Sequence, residues 1–111
     1  MMKDLVILGS GGLAQEYAWL VEEINDHRKQ FNLLGYLDDD PGCIGREFIG
    51  YPVLGDLDTL GTMGRVGVIA AVGDPYVRKL IIDRVAPFSP EFVNLVSPTV
   101  RLHPSHSIGL G

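Results

Sequence analysis

A short apolar run, Leu5-Val6-Ile7-Leu8, stops abruptly at Gly9-Ser10-Gly11-Gly12, and from Leu13 the apolar period lengthens from two residues to that of a helix. Leu13, Tyr17, Leu20, Val21 and Ile24 fall on one stripe, with Gln15, Glu16, Glu22 and Glu23 opposite. The spacing predicts a strand over 4–8 and a helix from Leu13 to about Asn25 or Asp26. A strand without polar alternation is covered on both faces, as in a parallel sheet. Trp19 breaks the helical pattern: it lands on the polar face and is expected to meet a partner or another segment.

The same alternation continues. Phe31 to Leu37 reads as a second strand ending in the acidic turn Asp38-Asp39-Asp40-Pro41-Gly42. Residues 41–55 carry so many glycines and prolines that a long loop is expected, with one short extended piece at 51–54. Asp56 can cap a short helix through Leu60. Val66 to Val72 is a third strand. Asp74 and Pro75 suit the cap and first position of a helix whose apolar side is Tyr76, Val77, Leu80, Ile81 and Val85, and which Pro87 ends. Phe92 to Val96 is a fourth strand. Strands alternating with helices predict an α/β domain: a small Rossmann-like open parallel sheet of about four strands with flanking helices and right-handed crossovers.

Beyond residue 95 the texture changes. Val96, Leu102 and Ile108 recur every six residues, with Pro98, Pro104 and Gly109 between them. Two readings fit: the start of a left-handed parallel β-helix, or an irregular proline-rich tail. The expected division is 1–95 for the α/β domain and 96–111 for this second segment, which is an incomplete first coil on the β-helix reading.

Composition narrows the function. The chain has 111 residues, one domain's worth. Fourteen Asp and Glu against nine Lys and Arg give a net charge of −5, with no basic run, so neither nucleic acid nor anionic membrane is expected as a partner. The single Cys43 forms no internal disulfide, no Cys/His spacing suggests zinc, and the first apolar run is too short for a secretory core. A reducing cytoplasm is the expected location.

The chemistry concentrates at Gly9-x-Gly11-x-x-Ala14. The first glycine permits a sharp turn, the second lets a phosphate approach the backbone, and the alanine lets helix and strand pack closely. The helix N-terminus then offers N–H groups and partial positive charge to an anion. Asp38, at the end of the next strand, is placed to accept hydrogen bonds from a ribose or a base, while Gly73 and Asp74 end the third strand on the same rim. Arg78, one turn into the following helix, can reach that rim or pair on the surface. NAD and a single nucleotide both satisfy the pattern; the chain length favours the single nucleotide, with or without a sugar. Catalytic groups are scarce. His103-Pro104-Ser105-His106 lies in extended, proline-broken sequence rather than on a metal-binding helix, and no catalytic residue or metal ligand is expected.

Four segments together, residues 9–25, Gly35-Tyr-Leu-Asp-Asp-Asp40, Gly50-Tyr-Pro-Val-Leu-Gly-Asp-Leu57 and Ala71-Val-Gly-Asp-Pro-Tyr-Val-Arg78, resemble the N-terminal domain of PglD/NeuD-type sugar O-acyltransferases and N-acetyltransferases. The resemblance implies a Rossmann-like unit binding a nucleotide-linked sugar, often a UDP-amino-sugar. It further implies a following left-handed β-helix that forms homotrimers, binds acetyl-CoA and carries the catalytic histidine. Carried over by position, Gly9, Ser10, Gly11 and Gly12 surround the diphosphate, Asp38 and Asp39 face the nucleoside, and Gly73 with Asp74 closes the other side. Leu13 stands where some members have histidine. Neither His103 nor His106 corresponds to the catalytic histidine, so the resemblance assigns this chain no cofactor and no turnover of its own.

Overall fold

The computed structural model describes residues 2–95 and the backbone of 108–109. Strand β1 (Lys3–Leu8) feeds helix α1 (Gly12–His27), which returns the chain to β2 (Phe31–Leu37). A hairpin of β3 (Glu47–Phe48) and β4 (Tyr51–Gly55) follows, then a 3-10 segment, Leu57–Thr62, and β5 (Gly67–Ala70). Helix α2 (Pro75–Val85) leads through a short 3-10 turn, Ala86–Phe88, to β6 (Glu91–Phe92) and β7 (Asn94–Leu95). The last described strand, β8 (Ile108–Gly109), pairs antiparallel with β7.

The main sheet has six strands in the order β3-β4-β2-β1-β5-β6, parallel except for the β3–β4 hairpin. The architecture is Rossmann-like, as the alternation implies. Alternate residues of β1 divide the core in two. Leu5 and Ile7 pack with Ala14, Tyr17, Ala18, Val21 and Ile24 of α1, whereas Val6 and Leu8 pack with Leu57, Leu60 and Val85 on the other face. All four of these β1 side chains are fully buried, and each contributes about 1.5–3 kcal/mol relative to exposure.

Several expectations are revised. The sheet has more than four strands because residues 47–55 form a hairpin inside the expected loop. Its two-residue turn, Ile49-Gly50, has φ of 55° and 79°, the left-handed pair of a tight hairpin turn, but isoleucine rarely adopts that conformation and so did not announce it. The third strand is shorter than 66–72, and the fourth is interrupted at Val93. The apolar side of α2 does not all face the sheet: Val85 is buried, yet Tyr76, Val77 and Leu80 are exposed. These apolar positions span about half the helix circumference, wider than the contact with the sheet. Trp19 is exposed on the outer side of α1. The six-residue period falls mainly outside the described residues, as do Val96, Leu102, His103 and His106.

Gly35 permits the β2–β4 pairing. Its φ is +149°, the β1–β2 register shifts beside it, and an added Cβ would lie 2.2 Å from the Pro52 carbonyl oxygen. No residue with a side chain fits this crossing without moving β4.

Candidate nucleotide site at the sheet's carboxyl rim

The strand order reverses at β1, with β2 and β4 on one side and β5 and β6 on the other. Open α/β sheets hold ligands in the crevice at such a reversal, outside the carboxyl ends of the strands. Backbone hydrogen bonds continue the pairing just into the rim: Gly9 N–H donates to Leu37 O (2.7 Å), Ala71 N–H to Leu8 O (2.9 Å) and Asp38 N–H to Gly55 O (2.9 Å). The glycine loop, the acidic turn and the segment after β5 are thereby brought to one edge.

The three glycines of the loop do different things. Gly9 has φ +109°, and a Cβ there would meet the Ala71 carbonyl oxygen at 3.2 Å, so the fold itself requires glycine. Gly11 has an ordinary φ of −78°, and at both Gly11 and Gly12 an added Cβ would meet nothing within 4 Å. Nothing in the described fold demands glycine at these two exposed positions. A molecule lying against the backbone would.

Helix α1 starts open. Its cap is Gly11, with no side chain bonded to the first turn and no acidic residue in that turn. The first intrahelical bond is Gln15 N–H to Gly11 O, which leaves the preceding N–H groups available to an anion. Helix α2 is different: the Asp74 carboxylate accepts from Tyr76 N–H (2.8 Å) and Val77 N–H (3.4 Å) and fills the position an anion would take. Of the two helix starts on this rim, only that of α1 is free for a phosphate.

The buried Ser10 hydroxyl, 4% exposed, donates to Asp38 Oδ2 at 2.6 Å and ties the glycine loop to the acidic turn. Asp38 Oδ1 accepts Asp40 N–H at 2.9 Å. A carboxylate has about four acceptor positions, so Asp38 keeps capacity for a further donor. Asp39 is committed elsewhere: Oδ1 accepts Leu57 N–H at 3.0 Å and Oδ2 pairs with Arg84. Arg84 also reaches Asp58 at 3.2 Å, and its pKa is raised, first by Asp58 and then by Asp39. Of the expected site residues, Gly9, Ser10, Gly11, Gly12 and Asp38 form one connected group. Asp39 pins the turn to the α2 side of the sheet, and Gly73 and Asp74 stand on the rim beyond β5.

The sequence profile of the PglD N-terminal domain matches residues 4–85, most of the chain. The chain belongs to this family. No curated protein matches it with significance. Among solved structures, a variant of perosamine N-acetyltransferase from Caulobacter crescentus, in complex with CoA and GDP-perosamine, is 25% identical with a TM-score of 0.72; the match covers 95% of this chain and 48% of that one. PerB from the same organism, also with CoA and GDP-perosamine, gives 24% identity and a TM-score of 0.71 over 95% of this chain and 47% of that one. The chain thus spans about half the length of these relatives. RSP, a Rex-family repressor solved with β-NAD+ and operator DNA, shares the fold at 20% identity and a TM-score of 0.63, over 88% of this chain and 48% of that one.

Two features of this PglD-type domain were not legible beforehand. Gln15 Nε2 donates to the Ser10 carbonyl at 3.2 Å and braces the loop from the first turn of α1. The Asp39–Arg84 pair joins residues 45 apart in sequence, a separation no local pattern reveals. A hollow of about 910 Å3 also lies at the amino ends of the strands, lined by Lys3, Leu60, Arg65, Phe88 and Glu91 among others. Its size does not make it the functional site. It faces away from the strand-order reversal, and the Lys3–Glu91 ion pair (2.6 Å) lies in its wall.

Proposed function

We propose that this chain is the nucleotide-sugar-binding domain of a sugar acyltransferase that uses an acyl-CoA donor. The observation that carries the reading is the pair of exposed glycines, Gly11 and Gly12, which the fold does not need, at an uncapped helix N-terminus beside Asp38. The diphosphate would lie over Gly9, Ser10, Gly11 and Gly12, and the ribose would donate to Asp38. Gly73 and Asp74 would border the far side of the site. Asp39 would shape the nucleoside end through Leu57 and Arg84 rather than touch it. Membership of the PglD family and the likeness to an N-acetyltransferase solved with GDP-perosamine support a nucleotide-linked amino sugar as the ligand class.

In the reaction so proposed, an acyl group passes from the CoA thioester to a sugar amine or hydroxyl, the carbon–sulfur bond breaks, and a base carries the acceptor's proton to the departing CoA thiol. This domain's part is to bind and orient the acceptor, which lowers the entropic share of the barrier. The Asp74 carboxylate already caps the other helix start on the rim, so the proposal places one diphosphate there and not a second. Acetyl-CoA is accordingly assigned no residue of this chain. It would be bound, with the catalytic histidine, by a trimeric β-helix in a complete cytoplasmic enzyme.

Calorimetric titration of the chain with UDP- and GDP-linked amino sugars and with NAD(H) tests the proposal. Saturable binding of a nucleotide sugar in the micromolar to millimolar range is expected. Binding of NAD(H) alone would overturn the reading.

A further inference from the structure

Ser10 is buried, 4% exposed, although it lies in the loop expected to surround the diphosphate. A buried hydroxyl without a partner is costly. This one donates to Asp38 Oδ2 at 2.6 Å, the length of a charge-assisted bond between a hydroxyl and a carboxylate. A hydroxyl has a single proton, so Ser10 has none left to donate to a phosphate oxygen. Nor is the bond needed to join the strand ends, because Gly9 N–H already donates to Leu37 O beside it. Its effect falls on Asp38. With Oδ2 bound by Ser10 and Oδ1 accepting Asp40 N–H at 2.9 Å, both oxygens are held and the plane of the carboxylate is fixed. Ser10 is anchored in turn, since Gln15 Nε2 donates to its carbonyl at 3.2 Å.

We propose that Ser10 is a positioning residue that makes the site selective for ribose: its hydrogen bond sets Asp38 in the orientation that accepts a ribose hydroxyl, and its own side chain does not touch the ligand. The proposal rests on the nucleotide-sugar reading above and deepens it. The Ser10 side chain belongs to the nucleoside end of the site, and only its backbone is left to the diphosphate. The remaining lone pairs of the carboxylate point where the two bonds leave them. Asp38 is half-buried, so those positions stay open to a donor from the rim. A ribose hydroxyl supplies that donor. A site built around such a hydrogen bond rejects the analogue that cannot make it, here a deoxyribose lacking the hydroxyl. Without Ser10 the carboxylate keeps only the Asp40 N–H, which holds one oxygen and lets the group turn about it. Discrimination between ribose and deoxyribose is then lost, while the backbone N–H groups at the start of α1 are unchanged.

Calorimetric titration of the whole chain with GDP and with UDP, each beside its 2′-deoxy and 3′-deoxy counterparts, tests this in wild type, Ser10→Ala, Ser10→Gly and Ser10→Thr. Wild type is expected to bind the ribonucleotide about 10- to 150-fold more tightly than the form lacking the engaged hydroxyl. Ser10→Ala and Ser10→Gly should each lower ribonucleotide affinity about 5- to 50-fold and leave that deoxy form within about twofold, so the discrimination collapses. Ser10→Thr keeps the hydroxyl and should keep the discrimination. Equal losses for the ribonucleotide and its deoxy form would overturn the proposal, because a phosphate contact or a loosened loop weakens both alike. Discrimination unchanged in both Ser10→Ala and Ser10→Gly would overturn it too, with the nucleotide-sugar reading intact. Equal wild-type affinities for the ribonucleotide and both deoxy forms would overturn the ribose contact at Asp38, and this proposal with it, while leaving the phosphate site. Binding of neither GDP nor UDP by wild type would overturn the nucleotide-sugar reading itself.

Discussion

Alanine at Gly12 should leave the protein folded and slightly more stable, yet unable to seat a nucleotide diphosphate. Gly12 is the first residue of α1, and an added Cβ would meet nothing within 4 Å. Its folded-state cost is therefore small, while alanine restricts the unfolded chain more than glycine does. Such a substitution at a compatible site stabilises by about 0.4–1 kcal/mol, or about 2–8 °C in Tm for a domain of this size. Gly9→Ala provides the opposite case: φ of +109° and the Ala71 carbonyl at 3.2 Å make it destabilising by about 1–3 kcal/mol. On the ligand side, a methyl group in the space the phosphate oxygens would occupy should weaken binding at least about tenfold, or 1.4 kcal/mol. Thermal unfolding with and without a GDP- or UDP-linked sugar reads both effects, and calorimetry gives the affinities. Two results would refute the reasoning. Wild-type affinity in Gly12→Ala would mean that the phosphates do not lie on the loop, and a drop of several degrees in Tm would mean that the glycine is structural after all.

Three further outcomes are expected. Asp38→Asn keeps an acceptor for Ser10 but loses the charge, so nucleotide affinity in calorimetry should fall about 10- to 150-fold, with Tm within a few degrees of wild type. Gly35→Ala, with its Cβ 2.2 Å from Pro52 O and φ at +149°, should cost about 2–5 kcal/mol in denaturant unfolding. Tyr36 is fully buried, its hydroxyl donates to Phe48 O at 2.9 Å, and burial first, then Tyr51 and Glu22, push its pKa from 10.0 to about 12. The folded state holds this proton more tightly than the unfolded chain, so the stabilisation it gives is complete below pH 10 and is lost as pH rises through about 12. Urea unfolding across that range should show the decline, and Tyr36→Phe should flatten it from a lower starting stability.

The legible parts of the fold are those in which neighbours in sequence do the work. The span 31–37 of β2 is read residue for residue, because Phe31 and Leu37 are bounded by polar and acidic breaks and the run between them, Asn32 apart, carries no polar side chain before Tyr36. Asp74-Pro75 announces the start of α2 for the same reason: the cap and the first helical position act on backbone groups within three residues. The β3–β4 hairpin was not legible, since its turn uses Ile49 in a left-handed conformation that tertiary contacts hold in place. Helix α2 was read correctly as a helix but not for its facing. Period alone marks Tyr76, Leu80 and Val85 as apolar; which of them meets the sheet depends on how the helix crosses it.

The candidate site divides the same way. Gly9, Gly11, Gly12 and the start of α1 are visible in ten consecutive residues, because a strand, a tight turn and a helix N-terminus are local structures with local signatures. The sequence by itself thus determined the α/β class, the place of the candidate anion-binding turn and the candidacy of Asp38. Only the tertiary structure decided which glycines the fold needs, that Ser10 and Asp38 share a hydrogen bond, that Asp39 turns to Leu57 and Arg84, and that Asp74 closes one helix start while the other stays open. The physical reason is reach. Backbone preferences act over a few residues, whereas the roles of these carboxylates are set by partners from other strands and helices, up to 45 residues away in the chain.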